Sequence, residues 1–169
     1  FIERADYEES PPKGYFRLYP GNSVRLKYGF VVTCVGAERD AAGNITRVIA
    51  QVIPDTKSGT PGASSVKVKG VITWVGASDG IKAPVNLYDR LFMDAQPDAG
   101  GKDFTAVLNP DSLRVIEAML EPSLAHAAPG TNFQFERLGY FVSDRETHQP
   151  GHPVFNRSVG LKDSWTPGS

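Results

Sequence analysis

Apolar and polar residues alternate along this chain over short stretches, with the period of two that marks strands rather than the longer period of helices. The segment 23–35 opens with Arg25 and Lys27 alternating with apolar neighbours, and it continues past Tyr28 into a β-branched run. This pattern predicts one strand that carries Arg25 and Lys27 together on its polar face. The first half of the chain therefore favours β structure.

Turn and loop signals separate the other strand segments. The string DAAGN at 40–44 is followed by a β-branched run at 45–53, which predicts a β-hairpin. Glycine-rich, small polar segments predict a mobile loop at 57–65 and a second loop at 94–102. We expect the remaining strands at residues 67–75, 85–92, 112–120, 133–142 and 153–161, and a short helical turn at 122–127.

The segment 112–120 allows two interpretations. Leu113, Ile116 and Leu120 keep helical spacing, whereas the β-branched pair Val115 and Ile116 favours a strand. We assign a strand here.

Composition supports an all-β protein and adds little about partners. The 17 glycines and 13 prolines are scattered over 169 residues, as in proteins with many short strands joined by turns. The formal net charge of −1 gives no global attraction to nucleic acid, so an RNA-binding face would have to be a local basic cluster.

The single cysteine and the hydropathy bear on where in the cell the protein is expected. Cys34 lies in an apolar run, which predicts a buried structural thiol, and one cysteine excludes an internal disulfide. No apolar run approaches the roughly 20 residues that span a bilayer. We therefore expect a soluble, cytoplasmic protein with no membrane partner. Because the chain opens on Phe1 without an initiating methionine, we also expect it to be part of a larger protein.

Motifs for catalysis, cofactors or metals are not supported. Gly100-Gly101-Lys102 lacks the earlier glycine and the following Ser/Thr of a phosphate loop. His148 and His152 flank a Pro-Gly pair that forbids a helix, so we expect two surface histidines instead of a metal site. No nucleophile elbow marks a hydrolase triad.

Basic residues beside aromatic ones are the remaining candidates for function. Aromatic and guanidinium planes stack on unpaired bases, and forked donors bind base edges, so the mixture suits single-stranded RNA. The alternative is that these are solvent-facing positions of amphipathic strands, which composition alone favours. The clusters are Lys13, Tyr15, Phe16 and Arg17; Arg25, Lys27 and Tyr28; and Gln134, Phe135, Arg137 and Tyr140.

Longer strings carry a family resemblance. They are KGYFRLYPGNSVRL from Lys13, DAAGNIT from Asp40, KVKGVITWV from Lys67, VNLYDRLF from Val85, LNPDSL from Leu108, EPSL from Glu121, FQFERLGYF from Phe133 and PVFNRSVGLKDSW from Pro153. Together, in order and over nearly the whole chain, they resemble the anticodon-binding region of bacterial glutaminyl-tRNA synthetases.

The resemblance implies a specific architecture. That region folds as two six-stranded β-barrels that share strands, ribosomal-protein-like in type. By this likeness, residues 1–66 belong to a first barrel that is incomplete at its N-terminus, and residues 67–150 form the second. Residues 151–169 are a C-terminal strand and tail that return to the first barrel.

The resemblance also implies that anticodon recognition and catalysis lie in different domains. The parent is a class I glutamine–tRNA ligase whose ATP site lies in an N-terminal catalytic domain with HIGH-like and KMSKS-like signatures. Neither signature appears here. We therefore expect this chain to recognise the anticodon of glutamine tRNA, to bind no cofactor itself, to contact its own catalytic domain, to be monomeric, and not to be catalytic alone.

Site residues follow from the matching positions. Arg17 stands where the family reads the third anticodon base, a guanine whose two acceptors suit a guanidinium fork. Arg25 matches the contact to the first, wobble base. Gln134 and Arg137 match the pocket for the central uracil, whose carbonyls accept from an amide and a guanidinium.

Lys13 and Lys27 complete the predicted anticodon-binding set. Lys27 stands where relatives can carry arginine. Gly14 and Phe16 replace polar or basic residues, so Gly14 is left out, and Phe16 could stack on a base where a lysine would pair.

Two other identities stay open at this point. A glutamyl-tRNA synthetase with similar barrels would have the same chemistry but a different anticodon preference. A free-standing barrel protein that binds RNA or another protein would lack a class I catalytic domain before Phe1.

Overall fold

The structure is a computed structural model that describes residues 1–101 and 103–161. Regular structure in this part of the chain consists of strands and short 3-10 helices, so the all-β prediction is confirmed. The strands are β1 (Ser23–Leu26), β2 (Val31–Arg39), β3 (Ile45–Val52), β4 (Gly70–Ile72), β5 (Ile81–Tyr88), β6 (Leu113–Leu120), β7 (Asn132–Phe135), β8 (Gly139–Ser143) and β9 (Phe155–Gly160). The 3-10 helices are Arg4–Asp6, Pro61–Ser64, Ala99–Gly101, Phe104–Val107 and Pro122–His126.

The strands form two mixed sheets in two compact units, Phe1–Val75 and Gly76–Ser169. The four-stranded sheet has the order β3-β2-β1-β4, and the five-stranded sheet has the order β6-β5-β9-β8-β7. Within the described residues neither sheet closes on itself, so the two six-stranded barrels are not confirmed. β4 pairs in parallel with β1, which places the strand expected to open the second barrel in the first unit.

The return of residues 151–169 to the first barrel stays a prediction. The strand of this segment that the structure describes, β9, lies between β5 and β8 in the second sheet. The physical reason is Phe155, which is fully buried and packs its ring against Phe133, Phe135 and His148. The remainder of the expected tail, 162–169, lies outside the described residues.

Two predicted strands are interrupted by tight turns. The segment 23–35 breaks after Leu26, where the Leu26 amide donates to the Phe30 carbonyl at 2.9 Å and the Gly29 amide donates to the Leu26 carbonyl at 2.8 Å. Lys27 therefore lies in the turn. The prediction that it shares a strand face with Arg25 was wrong. The segment 133–142 is likewise a hairpin of β7 and β8.

Local turn chemistry elsewhere gave correct predictions. The Asp40 carboxylate accepts from the Ala42 amide at 2.9 Å and the Asn44 amide at 2.8 Å, which stabilises the turn between β2 and β3. The strand at Leu113–Leu120 and the helical turn at Pro122–His126 are also confirmed.

Each unit has its own apolar core. The first core is centred on Tyr7, Leu18, Val24, Val32, Cys34 and Ile72, and the second on Ala83, Val85, Leu120, Leu124, Phe141 and Phe155. Cys34 is buried as predicted, and burial raises the pKa of its thiol.

His148 is a core residue, so the expectation of a surface histidine was wrong. Its side chain is buried, with Nε2 2.8 Å from the Ala127 carbonyl oxygen. Nδ1 accepts from the Val154 amide at 3.1 Å. Both ring nitrogens are therefore used to hold loops onto the second core, which no local sequence signal indicates.

Asp144 organises the turn that leads from β8 towards β9. Its Oδ1 accepts from the Thr147 amide at 2.7 Å and the Glu146 amide at 3.0 Å, and its Oδ2 accepts from the Asn156 side-chain amide at 2.7 Å. Hydrogen bonds from the Thr147 amide and the Asn156 side chain are the main reasons that the pKa of Asp144 lies well below its usual range.

This lowered pKa predicts an acid-sensitive contribution to stability. The folded pKa lies below the unfolded value near 3.9, so the stabilisation is present above about pH 4 and is lost as the pH falls further. Asp144→Asn should cost about 1–2 kcal/mol at neutral pH and less at about pH 3, measured by urea unfolding. Glu146→Gln, an exposed residue of the same turn, is the matched control. Equal losses at both pH values for Asp144→Asn would contradict this assignment.

Candidate nucleic-acid interface

Arg17 is positioned by a buried carboxylate. Backbone hydrogen bonds from Leu18 to Asp6 at 2.9 Å and from Glu8 to Leu18 at 3.0 Å align the two segments. This pairing brings Nη1 of Arg17 onto Oδ1 of Asp6, whose side chain is fully buried. The Arg17 side chain is nevertheless 39% exposed, so the ion pair fixes a guanidinium that still reaches solvent.

A basic groove of about 650 Å³ in the first unit is lined in part by residues 11–16, which directly precede Arg17 in the sequence. Lys13, Lys67 and Lys69 line it together with the exposed ring of Phe16. The Lys69 ammonium lies 5.4 Å from the centre of the Phe16 ring, within cation–π range. In the described residues none of the three lysines pairs with a carboxylate, so the groove keeps its positive charge.

The groove depends on a close backbone approach at Gly70. A Cβ at this position would stand 1.8 Å from the Phe16 carbonyl oxygen and 3.0 Å from Cγ1 of Val24. Only glycine allows this contact. The segment that carries Lys69, just before β4, is therefore held directly against the segment that carries Phe16.

Arg25 turns its guanidinium towards its own chain. Nη1 donates to the Thr56 carbonyl at 2.6 Å and lies 3.2 Å from the Gly29 carbonyl, while Nη2 donates to the Ala63 carbonyl. The segment 57–65, predicted as a mobile loop, is thus tied to β1 by charged hydrogen bonds. A direct contact between Arg25 and the wobble base stays a prediction.

Lys27 and Tyr28 form the turn between β1 and β2. The Lys27 ammonium lies 5.4 Å from the centre of the Tyr28 ring. The Lys27 carbonyl accepts from the Trp74 indole nitrogen at 2.9 Å, and the Lys27 amide donates to the Ile72 carbonyl at 2.9 Å. This turn is therefore a rigid, basic and aromatic surface.

Gln134 and Arg137 lie in one hairpin of the second unit. Gln134 is exposed on β7 opposite Tyr140, so both side chains lie on the outer face of the sheet. Arg137 is exposed in the turn, with a left-handed φ of 69°. The hairpin thus presents an amide, a guanidinium and an aromatic ring on adjacent exposed positions.

All four predicted basic residues of the first half lie in the first unit, where Lys13 lines the groove, Arg25 lies in β1 and Lys27 lies in the turn after it. No hydrogen bond joins Arg17 to the other three in the described residues. Sequence reasoning missed Lys67 and Lys69, although their spacing of two residues in a predicted strand signals a shared face. It also missed Asp6, because an ion pair across 11 residues of irregular chain has no local signature.

Other classes of site find no support in the described ranges. No group of three or more His, Cys, Asp or Glu side chains there could hold a metal ion. Among those residues, no helix has the length and apolar character needed to cross a membrane.

Comparison with known proteins agrees with this chemistry. Two family models match, at residues 1–53 and 71–144, and both are described as the anticodon-binding domain of class I tRNA synthetases (E and Q). Relatives named glutamine–tRNA ligase are 66% identical in Ralstonia nicotianae, 65% in Cupriavidus necator and 61% in Bordetella avium, each over 165 residues.

These alignments cover 98% of this chain but only 28% of each relative's length. The sequence resemblance to an anticodon-binding region is thereby confirmed. Since both family models carry one description and the identity extends over nearly the whole chain, this chain belongs to the anticodon-binding domains of class I (E and Q) tRNA synthetases.

Proposed function

We propose that this chain recognises the anticodon loop of glutamine tRNA for a glutamine–tRNA ligase. The observation that carries the proposal is Arg17, a half-exposed guanidinium fixed by the buried Asp6. The same unit also contains a lysine-lined groove. A guanidinium held in one orientation loses little entropy on binding and suits the two acceptors of guanine. Guanine is the third anticodon base for glutamine codons.

The other predicted residues receive complementary roles. Gln134 and Arg137 bind the central uracil, and Lys13 and Lys27 contact phosphates or base edges. Arg25 acts at the wobble base, either by direct contact or through the loop that its guanidinium holds. Lys67 and Lys69 add phosphate contacts along the groove.

The larger protein supplies the reaction. We propose that its catalytic domain binds ATP and glutamine, and that this chain contributes recognition, no cofactor and no catalytic group. The barrel architecture, with strands exchanged between the halves, and a monomeric, cytoplasmic parent are parts of the same proposal. This chain covers only 28% of the relative's length, which supports a separation of recognition from catalysis.

Salt dependence of RNA binding tests the electrostatic part of this proposal. Affinity for an RNA stem–loop carrying the glutamine anticodon should fall with salt, with a log–log slope of about −2 or steeper. Changing both Lys67 and Lys69 to Gln should make the slope shallower by about 1.5. Lys82→Gln, which removes an exposed lysine paired with Glu117 at 2.9 Å, is the control and should leave the slope unchanged. A salt-insensitive affinity would contradict the proposal.

A further inference from the structure

Tyr28 has a backbone conformation that its residue type disfavours. Its φ is 59°, in the left-handed region where a Cβ is strained and glycine or asparagine is usual. Burial of the Tyr28 ring does not offset this backbone strain, because the side chain is 73% exposed and buries little apolar surface. Strain of this kind persists only when the surrounding structure enforces it, and it is concentrated at functional sites.

The surrounding structure does enforce it. The turn is held by the Leu26–Phe30 backbone hydrogen bond at 2.9 Å and by the Gly29–Leu26 bond at 2.8 Å. In addition, Nη1 of Arg25 donates a hydrogen bond to the Gly29 carbonyl at 3.2 Å. The turn is thus fixed in a shape that presents an aromatic ring to solvent.

Position 29 of the turn is also closely packed. A Cβ on Gly29 would stand 3.3 Å from both Cβ and the carbonyl oxygen of Leu26, and 3.5 Å from the Trp74 ring. A side chain at position 29 would therefore pack tightly against Leu26, and the chain carries a buried glycine there. The left-handed residue of the turn is position 28, where the chain carries tyrosine.

We propose that Tyr28 is a stacking platform for an unpaired RNA base, which packs on one face of the ring while the Lys27 ammonium, over the other face, receives a phosphate. This inference rests on the proposed function and adds a binding residue outside the predicted anticodon set. An exposed aromatic ring on a fixed turn can stack on a base without sequence preference, and a nearby cation binds the backbone. The ammonium and the ring centre are 5.4 Å apart, so one nucleotide could stack its base on the ring and place its phosphate near the ammonium.

Two substitutions separate stacking from a structural role. Tyr28→Asn relieves the backbone strain, so the melting temperature should stay unchanged or rise by up to about 4 °C. The same change should weaken binding of the RNA stem–loop with the glutamine anticodon by about tenfold, since stacking contributes on that order per base. Tyr28→Phe keeps the plane and should bind within about twofold of the original chain.

Stem–loops that each lack one loop base identify the stacked base. For one of them, Tyr28→Asn should cause no further loss of affinity, while the other stem–loops should still lose about tenfold. If Tyr28→Asn binds the intact stem–loop as tightly as the original chain, or weakens every base-deleted stem–loop equally, Tyr28 is not a stacking platform. If the original chain does not bind the intact stem–loop at all, the proposed function fails and this inference fails with it.

Discussion

Gly70→Ala is expected to destabilise the first unit by at least about 3 kcal/mol and to abolish RNA binding by the lysine groove. The added Cβ would lie 1.8 Å from the Phe16 carbonyl oxygen, where no real Cβ is found. Because the obstacle is backbone, and not the end of a flexible side chain, β4 must move away from β1 or the segment at Phe16 must shift.

Gly36 provides the matched control for this change. It lies in β2 of the same sheet, and a Cβ built there meets nothing within 4 Å. Gly36→Ala should therefore alter stability by no more than about 0.5 kcal/mol in urea unfolding. Similar losses for the two alanine variants would show that the close approach at Gly70 does not determine the fold of this unit.

Substitutions of Arg17 should separate base reading from folding. Arg17→Ala removes the guanidinium to which the buried Asp6 carboxylate is paired, so we expect a loss of about 2–4 kcal/mol in stability. The same variant should lose about 1–3 kcal/mol of binding energy and its preference for guanine at the third anticodon base.

Arg17→Lys is the informative partner of this experiment. Lysine keeps a positive charge beside Asp6 but lacks the planar fork, so stability should be largely retained while discrimination at the third base is lost. Unfolding by urea and binding to stem–loops altered at that base measure the two effects. If Arg17→Lys discriminates among bases as well as the original chain, Arg17 serves only to stabilise the fold.

Local chemistry explains which parts of the fold were predictable. The turn at Asp40 was predicted because its carboxylate bonds only to amides within the next few residues. The break after Leu26 was missed because the alternation continues through Tyr28, and the backbone hydrogen bonds that close the turn between Leu26 and Phe30 have no signal in that pattern. The position of β9 depends on the distant aromatic partners of Phe155.

The candidate site shows the same limit. The partner of a guanidinium in a strand pattern cannot be predicted from sequence alone, and Arg17 and Arg25 illustrate two different arrangements. Arg17 pairs with Asp6 and still reaches solvent, whereas Arg25 donates to carbonyls of the loop that includes Ala63. Residue type therefore predicts which chemistry each group could supply, whereas its contacts and exposure depend on tertiary structure.

A glutaminyl-tRNA synthetase and a glutamyl-tRNA synthetase should prefer different bases at the third anticodon position. Glutamate codons begin with guanine, so their tRNAs carry cytosine at the third anticodon position, where glutamine tRNAs carry guanine. Cytosine offers a donor at the edge where guanine offers two acceptors, and the positively charged Arg17 has only donors. The fixed guanidinium should therefore favour guanine.

The most direct test is the dissociation constant of the chain for four RNA stem–loops that differ only at the third anticodon base, measured at one fixed salt concentration. We predict that guanine binds at least about tenfold more tightly than the other three bases. Equal affinity for all four bases, or a preference for cytosine, would contradict the proposal that this chain reads the anticodon of glutamine tRNA.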